Sequence, residues 1–125
     1  MAKFVKKTIL LVDDDKNIRT LLRDILDPKK FNVLEAEDGQ KALDLVHQKT
    51  VDLIITDRSM PLMGGLEFLR ALRQEGKTIP SLMISAFGEE EMWAEAVGYG
   101  AQDYLLKPFK SEEVLKIVKK QLGVK

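Results

Sequence analysis

The 125-residue chain contains no cysteine, which excludes disulfides, thiolate metal sites and a cysteine nucleophile, and weakly favours a reducing compartment. It has no surplus of either charge. Its 20 Lys and Arg balance 20 Asp and Glu, so nothing points to direct nucleic-acid binding and there is no acidic tail. Long apolar runs are missing too. Nothing approaches the roughly 20 residues needed to cross a bilayer. The basic start Ala2-Lys3-Phe4-Val5-Lys6-Lys7 leads only into the short stretch Thr8 to Val12, which is no signal peptide. No Walker-type glycine run precedes a Lys-Ser or Lys-Thr pair, which argues against nucleotide binding. A soluble, cytoplasmic chain without membrane association is the simplest expectation. Residues 1–125 are expected to form one domain, because this length is close to the commonest domain size.

What the chain does have is a regular alternation of patterns. Thr8 to Val12 reads as a buried strand. Ile18, Leu21, Leu22, Ile25 and Leu26 then recur at helical spacing, with Lys16, Arg19, Arg23 and Asp24 on the other face, and the helix stops before Pro28. Phe31 to Ala36 reads as a second strand, and Asp38 as the N-cap of a helix turning Ala42, Leu45 and Val46 inward. Val51 to Thr56 is a third strand. The loop from Arg58 to Gly65 leads to a helix with Leu66, Leu69 and Leu72 in a stripe, closed by Gly76 and Pro80. Ser81 to Ser85 is a fourth strand, a helix runs from near Glu89 to Gly98, and Asp103 to Leu106 is a fifth strand. Ser111 is expected to cap the last helix, whose first turn holds Glu112 and Glu113 at the positive end of the dipole. Strands of continuous apolar character alternating with helices imply an α/β fold with a parallel sheet covered on both faces, an open doubly wound sandwich. A barrel of eight units would need about 250 residues.

In such a sheet, ligands bind outside the carboxyl ends of the strands. The residues at those ends are Asp13 and Asp14 after the first strand, Asp57 after the third, Ser85 closing the fourth and Lys107 after the fifth. Glu35-Ala36-Glu37, after the second, is neither included nor excluded. Taken singly, each reads as a turn, a cap or a solvated side chain, and Asp14 or Asp15 is expected to cap the first helix. Their joint placement on one sheet edge is what points to a site. Two carboxylates about 4 Å apart repel by roughly 4 kcal/mol at an effective dielectric of 20, so the cluster must protonate or recruit a counter-charge. With only oxygen ligands at hand and a single histidine in the chain, Mg²⁺ or a similar hard cation fits better than Zn²⁺. His47 reads as a helix-surface residue, and Trp93 as partly buried in packing.

Four ordered segments now carry a resemblance. Ile9-Leu10-Leu11-Val12-Asp13-Asp14-Asp15, Asp52-Leu53-Ile54-Ile55-Thr56-Asp57 with Met60-Pro61, Met83-Ile84-Ser85-Ala86, and the run from Gly100 through Lys107-Pro108-Phe109 resemble the receiver domain of two-component response regulators, of the chemotaxis-regulator type. The likeness covers essentially the whole chain. It implies a flavodoxin-like (βα)5 sandwich with strand order 2-1-3-4-5. It implies that Asp57 is the phosphoacceptor, a carboxylate nucleophile served by a histidine kinase, a phosphotransfer protein or a small phosphodonor. Mg²⁺ would be held by Asp14 and Asp57, by Asp13 mainly through water, and by the Ser59 backbone carbonyl. Lys107 would pair with the phosphoryl oxygens, and Ser85 would donate its hydroxyl to them. Tyr104 would turn inward as that hydroxyl moves, re-presenting the surface of the fourth helix, fifth strand and fifth helix to a protein target or a second copy. The Lys107-Pro108 bond would be cis.

Several positions depart from the family pattern. Gly64 stands for a frequent Asp, Leu62 for a frequent Gly, Arg58 follows the acceptor where an apolar residue is common, and Trp93 replaces a frequent small residue. Ser59 and Phe87 fall where the family tunes dephosphorylation. The expected function is a phosphorylation-dependent signalling switch, either free-standing or part of a longer protein. It would not be an enzyme beyond acquiring and slowly losing its own phosphoryl group. A small Mg²⁺-dependent phosphohydrolase is one competitor, weakened because Ser59 stands where a general acid would be sought. A phosphate-independent interaction module is another, weakened by the complete set of acids and lysine.

Overall fold

The computed structural model describes residues 5–86, 88 and 90–124. Five strands, β1 (Thr8–Val12), β2 (Asn32–Ala36), β3 (Leu53–Asp57), β4 (Ser81–Ser85) and β5 (Asp103–Leu106), alternate with helices α1 (Lys16–Leu26), α2 (Gly39–Gln48), α3 (Gly65–Gln74), α4 (Glu90–Gly98) and α5 (Ser111–Leu122). All strand pairs are parallel and the sheet order is β2-β1-β3-β4-β5. This is the doubly wound, flavodoxin-like α/β sandwich read from the sequence.

The apolar strands are continuous because both faces are covered: every residue of β3 and β4 is buried. Alternation along the strands then sorts the core into two layers. Leu10, Val12, Ile54 and Met83 meet α2, α3 and Ala96 of α4, while Ile9, Leu11, Ile55 and Ile84 meet α1 and α5. The chain passes from β1 out to β2 and back across β1 to β3, so the winding reverses between β1 and β3 and opens a crevice there. Register levels the carboxyl ends around it, with Val12 beside Thr56, Asp57 beside Ile84 and Ser85 beside Leu106.

Local chemistry sets the helix starts. Asp15 Oδ1 accepts from the Asn17 N–H at 2.8 Å and Asp38 Oδ1 from the Lys41 N–H at 2.9 Å, both as expected. The last helix differs. Lys110 is its N-cap and Ser111 its first residue, and the Glu113 carboxylate accepts from the Lys110 N–H at 2.9 Å, so the capping oxygen comes from inside the first turn. Leu21 is 46% exposed rather than inward, because the buried face of α1 centres on Leu22 and Leu26. In α3 the buried residues are Gly65, Phe68, Leu69 and Leu72, so the expected Leu69 and Leu72 are joined by Phe68, while the expected Leu66 is only partly buried against the same core. Phe87 and Glu89 lie outside the described residues. Among those described, no helix is long and apolar enough to cross a membrane.

Candidate functional site

Asp13 follows β1 directly. Its N–H donates to the Ala36 carbonyl at 3.1 Å, and its Oδ1 accepts from the Asp15 N–H at 2.9 Å, so the capping turn that starts α1 also orients this carboxylate. Asp57 ends β3. Asp13 and Asp57 are buried, 3% and 8% exposed, whereas Asp14 is exposed. Oxygens of Asp13, Asp14 and Asp57 all lie within 4.8 Å of one another. Lys107 reaches in from the end of β5, its Nζ 3.0 Å from Asp57 Oδ1 and 3.4 Å from Asp13 Oδ2. Its backbone N–H donates to the Ser85 carbonyl at 2.8 Å, and the Lys107-Pro108 peptide is cis.

Three carboxylates against one ammonium leave the cluster negative. Burial is the main cause that pushes the Asp13 pKa above its ordinary value, the charge of Asp57 adding to it, while the Asp15 N–H and Lys107 act the other way. Burial likewise raises Asp57, reinforced by Asp14 and opposed by Lys107 and the Arg58 N–H. For Lys107, burial pulls the pKa down, but the hydrogen bond to Asp57 and the charges of Asp13 and Asp57 outweigh it and leave the value raised. Charged carboxylates are therefore disfavoured as the cluster stands. A divalent cation would restore their ionised form, and an all-oxygen donor set suits a hard ion of the Mg²⁺ type.

A family profile described as the response regulator receiver domain matches residues 9–119. The chain belongs to that family. It is 43% identical over 107 residues to the transcriptional regulatory protein CpxR of Escherichia coli, covering 86% of this chain but 45% of that protein, so it spans about half the length of that relative. It is 33% identical over 121 residues to sporulation initiation phosphotransferase F of Bacillus subtilis, covering 97% of this chain and 98% of the other. A structure of the Vibrio cholerae chemotaxis protein CheY4 superposes with a TM-score of 0.88 at 34% identity, over 94% of this chain and 100% of that one.

The remaining residues singled out in the sequence take clear places in this receiver. Ser85, 2% exposed, ends β4. Tyr104, on β5, is buried at 8% exposed, with its ring stacked on Trp93 at 6.0 Å and 17°. Trp93 is 51% exposed, more open than the burial in packing expected of it, its ring being covered on one side by Tyr104. Ser59 is exposed in the loop after β3. His47 is exposed at the end of α2 and pairs with Glu75 at 2.8 Å. Helix ends there face the opposite edge of the sheet, away from the carboxylates.

Three residues near the site were not legible as such. Arg19, assigned to the outer face of α1, donates Nη1 to the Asp13 carbonyl at 2.6 Å and Nε to Glu35 at 3.0 Å. Glu35 is thereby drawn away from the acid cluster into an ion pair with Arg19 and Arg23. Burial would raise the Glu35 pKa, but the hydrogen bonds and charges of Arg23 and Arg19 prevail and lower it. Gly65 is the third: a Cβ there would lie 2.1 Å from the Asp57 carbonyl oxygen, so only glycine lets α3 start this close under the third strand. The signals were present, in two arginines one helical turn apart and in the Gly64-Gly65 pair, but neither names its partner.

Proposed function

We propose that residues 1–125 act as one receiver domain, a phosphorylation-dependent switch in a two-component phosphorelay, with Asp57 as the phosphoacceptor. The observation that carries this reading is the placement of the Asp57 carboxylate, with Lys107 Nζ at 3.0 Å on one side and the Asp13 and Asp14 oxygens within 4.8 Å on the other. The close, full-length likeness to a relative named as a phosphotransferase supports it.

The donor would be a phosphohistidine on a histidine kinase or phosphotransfer protein, or a small phosphodonor, in the cytoplasm. An Asp57 oxygen attacks phosphorus in line. The new P–O bond forms as the P–N bond to the donor imidazole breaks, and the imidazole keeps the electron pair and takes up a proton. Lys107 presents a point charge to the incoming phosphoryl oxygens. Asp13, Asp14, Asp57 and the Ser59 carbonyl would hold Mg²⁺, which when bound offsets the charge of carboxylates and phosphoryl group together. Ser85 donates its hydroxyl to the acquired group, and its displacement is relayed through Tyr104 and Trp93 to the face formed by α4, β5 and α5. Trp93, Val97 and Leu106, between 47% and 52% exposed, give that face its apolar surface for a protein target or a second copy of the chain.

Intact mass after incubation with a small phosphodonor and Mg²⁺ tests the reading. Wild-type chain is expected to gain one phosphate and Asp57→Asn none. Equal gain in both proteins, or none in wild type, would overturn the assignment.

A further inference from the structure

We infer that Arg58 and Glu95 form a latch that holds α4 in its resting position and thereby opposes switching. The weakness of α4 packing makes such a latch consequential. Among the described residues of α4, Ala96 is fully buried, whereas Trp93 and Val97 are half exposed. Each of the other four helices buries at least two residues. Polar tethers take over at both ends of α4. At the far end Arg73, on α3, donates to the Gly100 carbonyl at 2.7 Å and to Ile79 at 3.0 Å, fixing the turn that follows α4. At the near end Arg58 donates Nη1 to the Met92 carbonyl at 3.1 Å and Nη2 to the Glu95 carboxylate.

The near tether starts one residue beyond Asp57. The Arg58 side chain is 11% exposed and Glu95 50%, so the bond to the Met92 carbonyl is the better shielded half of the tether and the Glu95 carboxylate the half open to competition. The Arg58 backbone is held as well: its N–H donates to Ile84 at 3.0 Å and its carbonyl accepts from the Gly65 N–H at 2.9 Å. Arg58 is thus a positioning residue anchored in the site and gripping α4, at the position where the family more often has an apolar side chain. A phosphoryl group on Asp57 adds negative charge one residue from Arg58, which draws on the guanidinium in competition with Glu95 and loosens the grip. The trigger rests on the proposed phosphorylation of Asp57, but the latch is a property of the resting chain. Linkage then requires that a change weakening the latch tightens binding of a phosphoryl mimic, by at most the factor by which it weakens the latch.

Two measurements on the full chain test it, with Glu95→Gln and Arg58→Met. Without any phosphoryl ligand, hydrogen exchange at the amides of residues 92–97 is expected to speed up several-fold in both variants while β1 and β3 keep their protection; unchanged exchange overturns the latch. With Mg²⁺ present, beryllium trifluoride is titrated while the emission of Trp93, the sole tryptophan, is followed. Glu95→Gln, which leaves the arginine charge in place, is expected to lower the midpoint roughly fivefold. An equal or higher midpoint overturns the link between latch and switch. Failure of the phosphorylation reading looks different: Asp57→Asn would then respond like wild type, while amide exchange would still decide the latch.

Discussion

Asp13 and Asp57 are held in a site that disfavours their charge, and this has a measurable sign. Each has a folded-state pKa raised above the ordinary value of 3.8, so the folded chain binds these protons more tightly than the unfolded one. Between the unfolded and folded values, stability therefore falls as pH rises, and the full cost is present above the folded values. Asp13→Asn keeps an oxygen for the Asp15 N–H and removes one charge. It is expected to stabilise the metal-free chain at pH 7 by on the order of 1 kcal/mol. That gain should shrink as pH falls toward 3.8 and disappear when Mg²⁺ is added, both readable from urea unfolding midpoints. An Asn variant less stable than wild type at pH 7 without metal would show that repulsion does not dominate there. The carboxylates and Lys107 were legible in the sequence because a strand end is a fixed place once the sheet is parallel. The side chain that holds the Asp13 backbone was not, since helical periodicity assigned Arg19 a face without naming the Asp13 carbonyl or Glu35 as its partners.

At the scale of the element, the loop between β3 and α3 departs most from what its residues prefer. Leu62 has φ of +69° and is 89% exposed, so it occupies the left-handed region with no packing in return. A left-handed residue with a side chain costs about 1–2 kcal/mol, and glycine recovers part of this against its greater freedom in the unfolded chain. Leu62→Gly is expected to raise stability by about 0.5–1 kcal/mol in urea unfolding. A loss would mean that the Leu62 side chain makes a stabilising contact. The elements themselves were legible to within a residue or two, because buried strands and amphipathic helices write their periods into the chain. The exposure of Leu21, the burial of Phe68 and the Lys110 cap were not, since each depends on a rotation or an end of a helix that only its neighbours settle.

For the whole molecule, topology does what no segment does alone. Asp13, Asp57, Ser85 and Lys107 come from four strands, and the parallel register brings their ends level around the crevice where the winding reverses. That convergence follows from order and alternation, which is why the candidate site could be assembled before any contact was known. The tethering of α4 by Arg58 could not, because a helix with a single fully buried described side chain carries little pattern to show what holds it. The most direct test of the switch is to locate the phosphoryl group. After treatment with a phosphodonor and Mg²⁺, borohydride reduces an aspartyl phosphate to homoserine, and peptide mass mapping finds the position. Reduction at position 57 alone is the expected result; reduction at position 13 or 14, or at no aspartate, would contradict it.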